Sequence, residues 1–188
     1  KPAKFLMLCP GNSYPKPEIT DVKLTACFDN TARLLGQNQL EAALSEYLNI
    51  QNNSVRDLQK PEIQAYLNYR LGVLYKKWAL LKESELNLSK AVQALEISSQ
   101  FLDAKRNPLG AAAVQNDLGA CYGALGEYVK NENYPSKAIA AYETAQRLLN
   151  KALQSLNPNQ NPQEYLFVIQ NIGNTHNSLA EYKERQKN

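Results

Sequence analysis

Residues 61–75 read PEIQAYLNYRLGVLY, in which a proline precedes a glycine by eleven positions. The same spacing recurs from Pro108 to Gly119 and from Pro162 to Gly173. A second pattern repeats at a fixed distance, because SKAVQALE at residues 89–96 returns 47 residues later as SKAIAAYE at residues 136–143. Two linked patterns with regular spacing indicate an internal repeat, and each unit is long enough for two helices.

Apolar side chains recur at helical spacing between these markers. The clearest series keeps one apolar face for about four turns, and its members are Ala138, Ile139, Ala141, Tyr142, Ala145, Leu148, Leu149, Ala152 and Leu153. One helical hairpin cannot bury such a face alone, so repeated hairpins stack on one another. The sequence therefore predicts an all-α fold, an α-solenoid of about three and a half antiparallel helical hairpins.

The chain divides into a leader and a repeat domain. The prolines of residues 1–19 restrict the backbone and predict an extended or loosely docked leader. Residues 20–188 form the predicted repeat domain, with hairpins at about 20–57, 61–106 and 108–156 and a lone helix at 162–187. This last helix is expected either to cap the array or to lead into further repeats. The apolar run at residues 5–8 is expected either to dock in a groove or to clasp the first hairpin.

The repeated residues carry a family resemblance. In the third repeat they are Leu118, Gly119, Tyr122, Ala138, Tyr142 and Ala145, and in the second they are Leu71, Gly72, Tyr75, Ala91, Leu95 and Ser98. Over residues 20–187 the chain resembles the tetratricopeptide repeat (TPR) family. In both repeats 19 residues separate the glycine from the following alanine, whereas the usual repeat has about a dozen. Both helices are therefore predicted to be long, which is similar to the variants in multidomain bacterial signalling proteins.

The resemblance implies a binding groove lined by the first helix of each hairpin. Side-chain amides in such a groove suit an extended peptide because they pair with its backbone donors and acceptors. Lysines would attract an acidic residue, and a slim alanine-rich helix would leave a pocket between repeats two and four. The implied partner-binding residues are Tyr66, Tyr69, Lys76, Lys77, Asn116, Ala120, Gln170, Asn174 and Asn177.

The sequence argues against catalysis. His176 is the only histidine, and it occupies the tyrosine position of its repeat, which predicts a packing role. The chain contains no phosphate-binding glycine loop and no nucleophile-elbow motif. Cys9, Cys27 and Cys121 lie far apart, which predicts unpaired thiols, although a bridge between Cys9 and Cys27 stays open. We therefore expect no enzyme activity, no cofactor and no metal site.

Charge and hydropathy leave three classes of function. The net charge is +3, and no apolar run approaches the roughly 20 residues that cross a bilayer. The main expectation is a soluble cytoplasmic scaffold that binds a protein or peptide segment, without membrane insertion. One alternative is an RNA-binding helical repeat, which requires a shared basic face from Lys23, Lys76, Lys77, Lys82 and Lys137. The other is a self-association module of a larger signalling protein, which buries the exposed end of the fourth repeat against another copy or further domains.

Overall fold

The computed structural model describes residues 14–52, 56–82, 84–129, 131 and 133–187. In this part of the chain the regular structure is helical throughout and includes no strand, so the prediction of an all-α fold is confirmed. A short 3-10 helix spans Arg56–Gln59. The α-helices are α1 (Val22–Gly36), α2 (Leu40–Asn52), α3 (Pro61–Lys82), α4 (Glu85–Phe101), α5 (Pro108–Val129), α6 (Asn133–Gln154) and α7 (Pro162–Arg185).

Prolines start three of these helices. Pro61, Pro108 and Pro162 occupy the first positions of α3, α5 and α7, as the sequence predicts. Proline suits this position because its missing N–H would have no partner in the first helical turn. Side-chain caps start two of the others: Asp21 accepts a hydrogen bond of 2.8 Å from the backbone N–H of Leu24 in α1, and Ser84 starts α4.

Helices that follow one another along the chain pack together. The most extensive contacts join α3 to α4 and α5 to α6, and α1 pairs with α2 in the same way. Further contacts join α4 to α5 and α6 to α7, while α5 also touches both α3 and α7. The buried core runs along these contacts, and its largest fully buried side chains are Tyr47, Ile50, Ile63, Leu67, Leu74, Leu88, Leu95, Leu125, Tyr142, Leu149 and Tyr182.

The repeated glycines are sites of close helix approach. A Cβ atom added at Gly72 would lie 2.6 Å from Leu95 Cγ, and one added at Gly119 would lie 2.8 Å from Tyr142 Cδ1. Each large side chain belongs to the helix that follows the glycine's own helix, 23 residues along the chain. The same packing contact therefore occurs in two successive helix pairs.

The third glycine lies on an open face of α7. A Cβ atom added at Gly173 would meet no neighbouring atom within 4 Å. Leu166 and Ile169, seven and four residues earlier on the same helical face, are 65% and 43% exposed. The face that α4 covers on α3, and that α6 covers on α5, is thus exposed on α7.

No helix in the described ranges combines the length and the apolar character that crossing a membrane requires.

Substituting alanine at the two equivalent glycines should have opposite effects on stability. Gly119→Ala should lower the free energy of unfolding by about 1–3 kcal/mol, because the added methyl group overpacks the contact with Tyr142. Gly173→Ala should raise it by up to about 1 kcal/mol, because alanine is the better helix former and has open space there. Urea denaturation measures both changes, and two changes of the same sign would contradict this account of the packing.

Candidate functional site

An extended segment of the chain lies against the predicted groove residues. Residues 14–21, which we call the leader segment, carry no regular secondary structure and lead into α1. The ring of Tyr14 lies 4.7 Å from the ring of Tyr69 and 5.5 Å from the ring of Tyr66, centroid to centroid. Both α3 tyrosines are buried. The structure therefore brings Tyr66 and Tyr69 together, and Tyr14 packs against both.

The other end of the leader segment is held by Asp57. This carboxylate accepts hydrogen bonds from the backbone N–H groups of Thr20, at 2.8 Å, and Asp21, at 2.9 Å. It also accepts a bond from the Thr20 hydroxyl and forms an ion pair of 2.8 Å with Lys60. The bond from Lys60, together with those from Asp21 and Thr20, holds the pKa of Asp57 well below its usual value. Asp57 thus fixes the point where the leader segment enters α1.

Open space lies beside Tyr14. One cavity of about 400 Å³, which we call the α1–α3 groove, is bounded by Tyr14, Tyr66 and six further residues, namely Leu35, Gly36, Tyr69, Arg70, Val73 and Lys77. A second cavity of about 480 Å³ is bounded by Tyr14, by the start of α3 and by the end of α4. Tyr14 lines both cavities, and each is large enough for side chains of a bound segment.

Tyr14 and Tyr69 are neutral hydrogen-bonding groups at this site. Arg70 donates to the hydroxyls of Tyr47 and Tyr66, each at 3.2 Å. Burial raises the pKa of Tyr14, and burial followed by the charge of Asp117 raises the pKa of Tyr69. These tyrosines therefore keep their hydroxyl protons, so they offer an apolar ring together with a polar group.

The two predicted groove lysines have partners within the chain. Lys76 Nζ forms a buried ion pair of 2.5 Å with Asp117 and so joins α3 to α5. Lys77 Nζ donates a bond of 2.6 Å to the carbonyl oxygen of Leu35 near the end of α1. Lys77 lines the α1–α3 groove, whereas the charge of Lys76 is matched by Asp117.

The remaining predicted site residues lie elsewhere. Asn116 and Ala120 of α5 are buried at 0% and 1% exposure, so a bulky residue at Ala120 would overpack the core instead of blocking a pocket. Gln170 and Asn177 are exposed on α7, and Asn174 is half-buried there. The α7 amides are accessible, but they are not part of the lining of the α1–α3 groove.

The lysines required for an RNA-binding face have separate local partners. Besides the bonds of Lys76 and Lys77, Lys82 lies over the ring of Trp78 and pairs with Glu41 at 3.8 Å. Lys137 lies over the ring of Tyr122, with 5.4 Å between Nζ and the ring centroid. Four of the five lysines are thus engaged in different places.

The histidine and the cysteines that the sequence analysis considered lie in different surroundings. His176 is exposed and lies 3.4 Å from the side-chain amide of Gln146, so the predicted packing role is wrong. Cys121 is buried and Cys27 is half-buried, both as free thiols. Cys9 and the apolar run at residues 5–8 lie outside the described residues. Within the described ranges, no three His, Cys, Asp or Glu side chains gather as metal ligands would.

Comparison of the chain with protein-family models, with curated proteins and with solved structures finds no match. The function of the groove is therefore inferred from its own geometry and chemistry.

Replacing Asp57 should change how stability depends on acid. Because the folded state lowers the pKa of this carboxyl group, its stabilising contribution is complete above the unfolded value of about 3.9 and declines as the pH falls below it. Asp57→Asn should be less stable than the wild type at pH 7 and should lose less stability between pH 7 and pH 3. Thermal unfolding at both pH values measures this, with Asp103→Asn as the exposed control; parallel losses in wild type and Asp57→Asn would contradict it.

Proposed function

We propose that this chain is a non-catalytic module that binds a protein or peptide segment in the groove along the first helices of its hairpins. The observation that carries the proposal is the leader segment itself. An extended piece of polypeptide already packs its Tyr14 ring on Tyr66 and Tyr69, and open space lies beside it. A surface that accommodates one extended segment of its own chain has the shape and chemistry that another such segment needs.

The chemistry of the α1–α3 groove supports a protein ligand. Tyrosine rings supply large rigid contact areas at low entropic cost and are common where proteins bind one another. Arg70 and Lys77 add donors at the groove edge, which suit backbone carbonyls or acidic side chains of a ligand. Of the five lysines required for an RNA-binding face, only Lys77 lines this groove, so its lining favours a protein partner over a nucleic acid.

The proposal includes a solenoid architecture of TPR-like repeats. Support comes from the contact between a glycine and a large side chain, which recurs from Gly72 and Leu95 to Gly119 and Tyr142. It also comes from the lengths of α3, α5 and α6, which have 22 residues each, in keeping with the long-helix variant. In this proposal the module serves as a cytoplasmic scaffold, and the returning helices α4 and α6 hold the first helices at a fixed spacing.

Two glycines with open space allow a matched test of where the partner binds. Gly36 lines the α1–α3 groove and Gly173 lies on the open face of α7, and neither has an atom within 4 Å of an added Cβ. Gly36→Phe should fill the groove and abolish capture of a partner from cell lysate, whereas Gly173→Phe should leave capture unchanged. Affinity capture followed by mass spectrometry identifies the partner, and the affinity of the purified pair is then measured for both variants.

Two other capture results would contradict the groove as the binding surface. Capture that survives Gly36→Phe but is lost with Gly173→Phe would place the partner on α7. Capture that survives both substitutions would refute the groove as the binding site.

One observation favours self-association as a second candidate function. A glycine inside a helix lowers stability by about 1 kcal/mol relative to alanine, and at Gly72 and Gly119 a large side chain uses the space that the glycine leaves. At Gly173 that space is open, and the exposed Leu166 and Ile169 lie beside it on the same face. Another copy that covers this face would bury apolar surface that is now in water.

Self-association through α7 predicts a concentration-dependent mass. Sedimentation velocity of the wild type should then show a dimer fraction that rises with concentration. Gly173→Phe should remove the dimer because the added ring blocks close approach at the glycine, and Gly36→Phe should not. A wild type that stays monomeric at every concentration would rule this candidate out.

A further inference from the structure

The leader segment has two ends with different chemistry. At its α1 end, Thr20 and Asp21 are bound to Asp57 by backbone and side-chain hydrogen bonds. At its other end the contact with α3 is aromatic, because the Tyr14 ring packs on Tyr66 and Tyr69. The leader segment is therefore held by polar bonds at one end and by ring packing at the other.

The residues that follow Tyr14 form few bonds that attach the leader segment to the helices. Pro15 and Pro17 have no backbone N–H and so cannot donate hydrogen bonds from these positions. Lys16 pairs with Asp29 of α1 at 2.7 Å, but the two side chains are 38% and 67% exposed, and exposed pairs contribute little. The Tyr14 ring is thus the main contact between this end of the leader segment and α3.

We propose that Tyr14 and Pro15 act as an intramolecular ligand of the groove, and that the partner is an extended segment with an aromatic residue beside a proline, which replaces them. This inference rests on the proposed function and specifies its ligand and its regulation. The aromatic side chain of the partner takes the place of the Tyr14 ring on Tyr66 and Tyr69, and the leader segment stays attached at Asp57.

The surroundings of Tyr14 fit such an exchange. Tyr14 borders the α1–α3 groove, which Gly36 and Lys77 also line. It also borders the second cavity, which lies at the start of α3 and the end of α4. Pro15 reaches a further cavity near the start of α5, so the segment already spans the ends of several helices. An incoming segment therefore has open space in two cavities next to the ring that it displaces.

A tethered occupant lowers the apparent affinity for any competitor. The measured dissociation constant equals the intrinsic constant divided by the fraction of molecules whose site is free. Because Tyr14 is joined to the protein by a short segment, it stays at high local concentration and fills the site in most molecules. Removing the ring should therefore strengthen binding of a competing peptide, which is the reverse of what loss of a structural contact would do.

The test uses the leader's own sequence as the probe. A fluorescent peptide of residues 14–21, YPKPEITD, is titrated with the full chain and followed by fluorescence polarisation. The dissociation constant for Tyr14→Ala should be about tenfold lower than for the wild type, and Tyr14→Leu should fall between them. A peptide with alanine in place of its tyrosine should bind neither protein. Tyr165→Ala, which removes a half-buried tyrosine of α7, should bind the probe as the wild type does.

Each result has a distinct meaning. Equal affinities for wild type, Tyr14→Ala and Tyr14→Leu, with all three shown to be folded by their thermal unfolding, would overturn the inference. So would binding that persists after Gly36→Phe is combined with Tyr14→Ala. If partner capture is still lost with Gly36→Phe while the probe shows no preference, only this inference fails. If capture is also insensitive to Gly36→Phe, the proposed groove fails with it.

Discussion

The close approach of α3 and α5 to the helices that follow them is the constraint on which the rest of the structure depends. Leu95 and Tyr142 lie where a side chain on Gly72 or Gly119 would have to be. This contact fixes the spacing within each helix pair, and the buried ion pair of Lys76 and Asp117 then joins one pair to the next. The net stabilisation by such a pair is small because burying both charges costs desolvation free energy, whereas removal of one partner alone would leave a buried charge uncompensated.

The groove follows from that arrangement. While α4 packs on α3, the ring of Tyr66 lies against Phe28 of α1 and Tyr14 of the leader segment. Arg70 donates to the hydroxyls of Tyr47 and Tyr66 beside them. Lys77 binds the carbonyl of Leu35 and so ties the end of α1 to α3. The walls of the α1–α3 groove are therefore joined by hydrogen bonds between helices.

Local features of the chain were predictable, and contacts between distant residues were not. The starts of α3, α5 and α7 follow from prolines whose effect is confined to one helical turn. The partners of Lys76 and Asp57 lie 41 and 37 residues away, and no spacing rule connects them. The analogy between repeats places Asn116 in the groove, but the structure buries this side chain within the core along α5. The pairing of Tyr14 with Tyr66 and Tyr69 required the path of the leader segment, which prolines restrict but do not direct.

The proposed exchange depends on the difference between the two contacts of the leader segment. Asp57 is a charged acceptor of several hydrogen bonds, and charge-assisted bonds are stronger than contacts between neutral groups. A tilted aromatic pair adds only about 0.5–1.5 kcal/mol beyond the area that it buries. In the proposed exchange the Tyr14 ring leaves while Thr20 remains bound, so the groove is uncovered without disturbing the capped start of α1. The end of α1 forms one wall of the groove. Breaking the bonds of Thr20 and Asp21 to Asp57 would disturb the start of α1, whereas release of the Tyr14 ring alone leaves that wall in place.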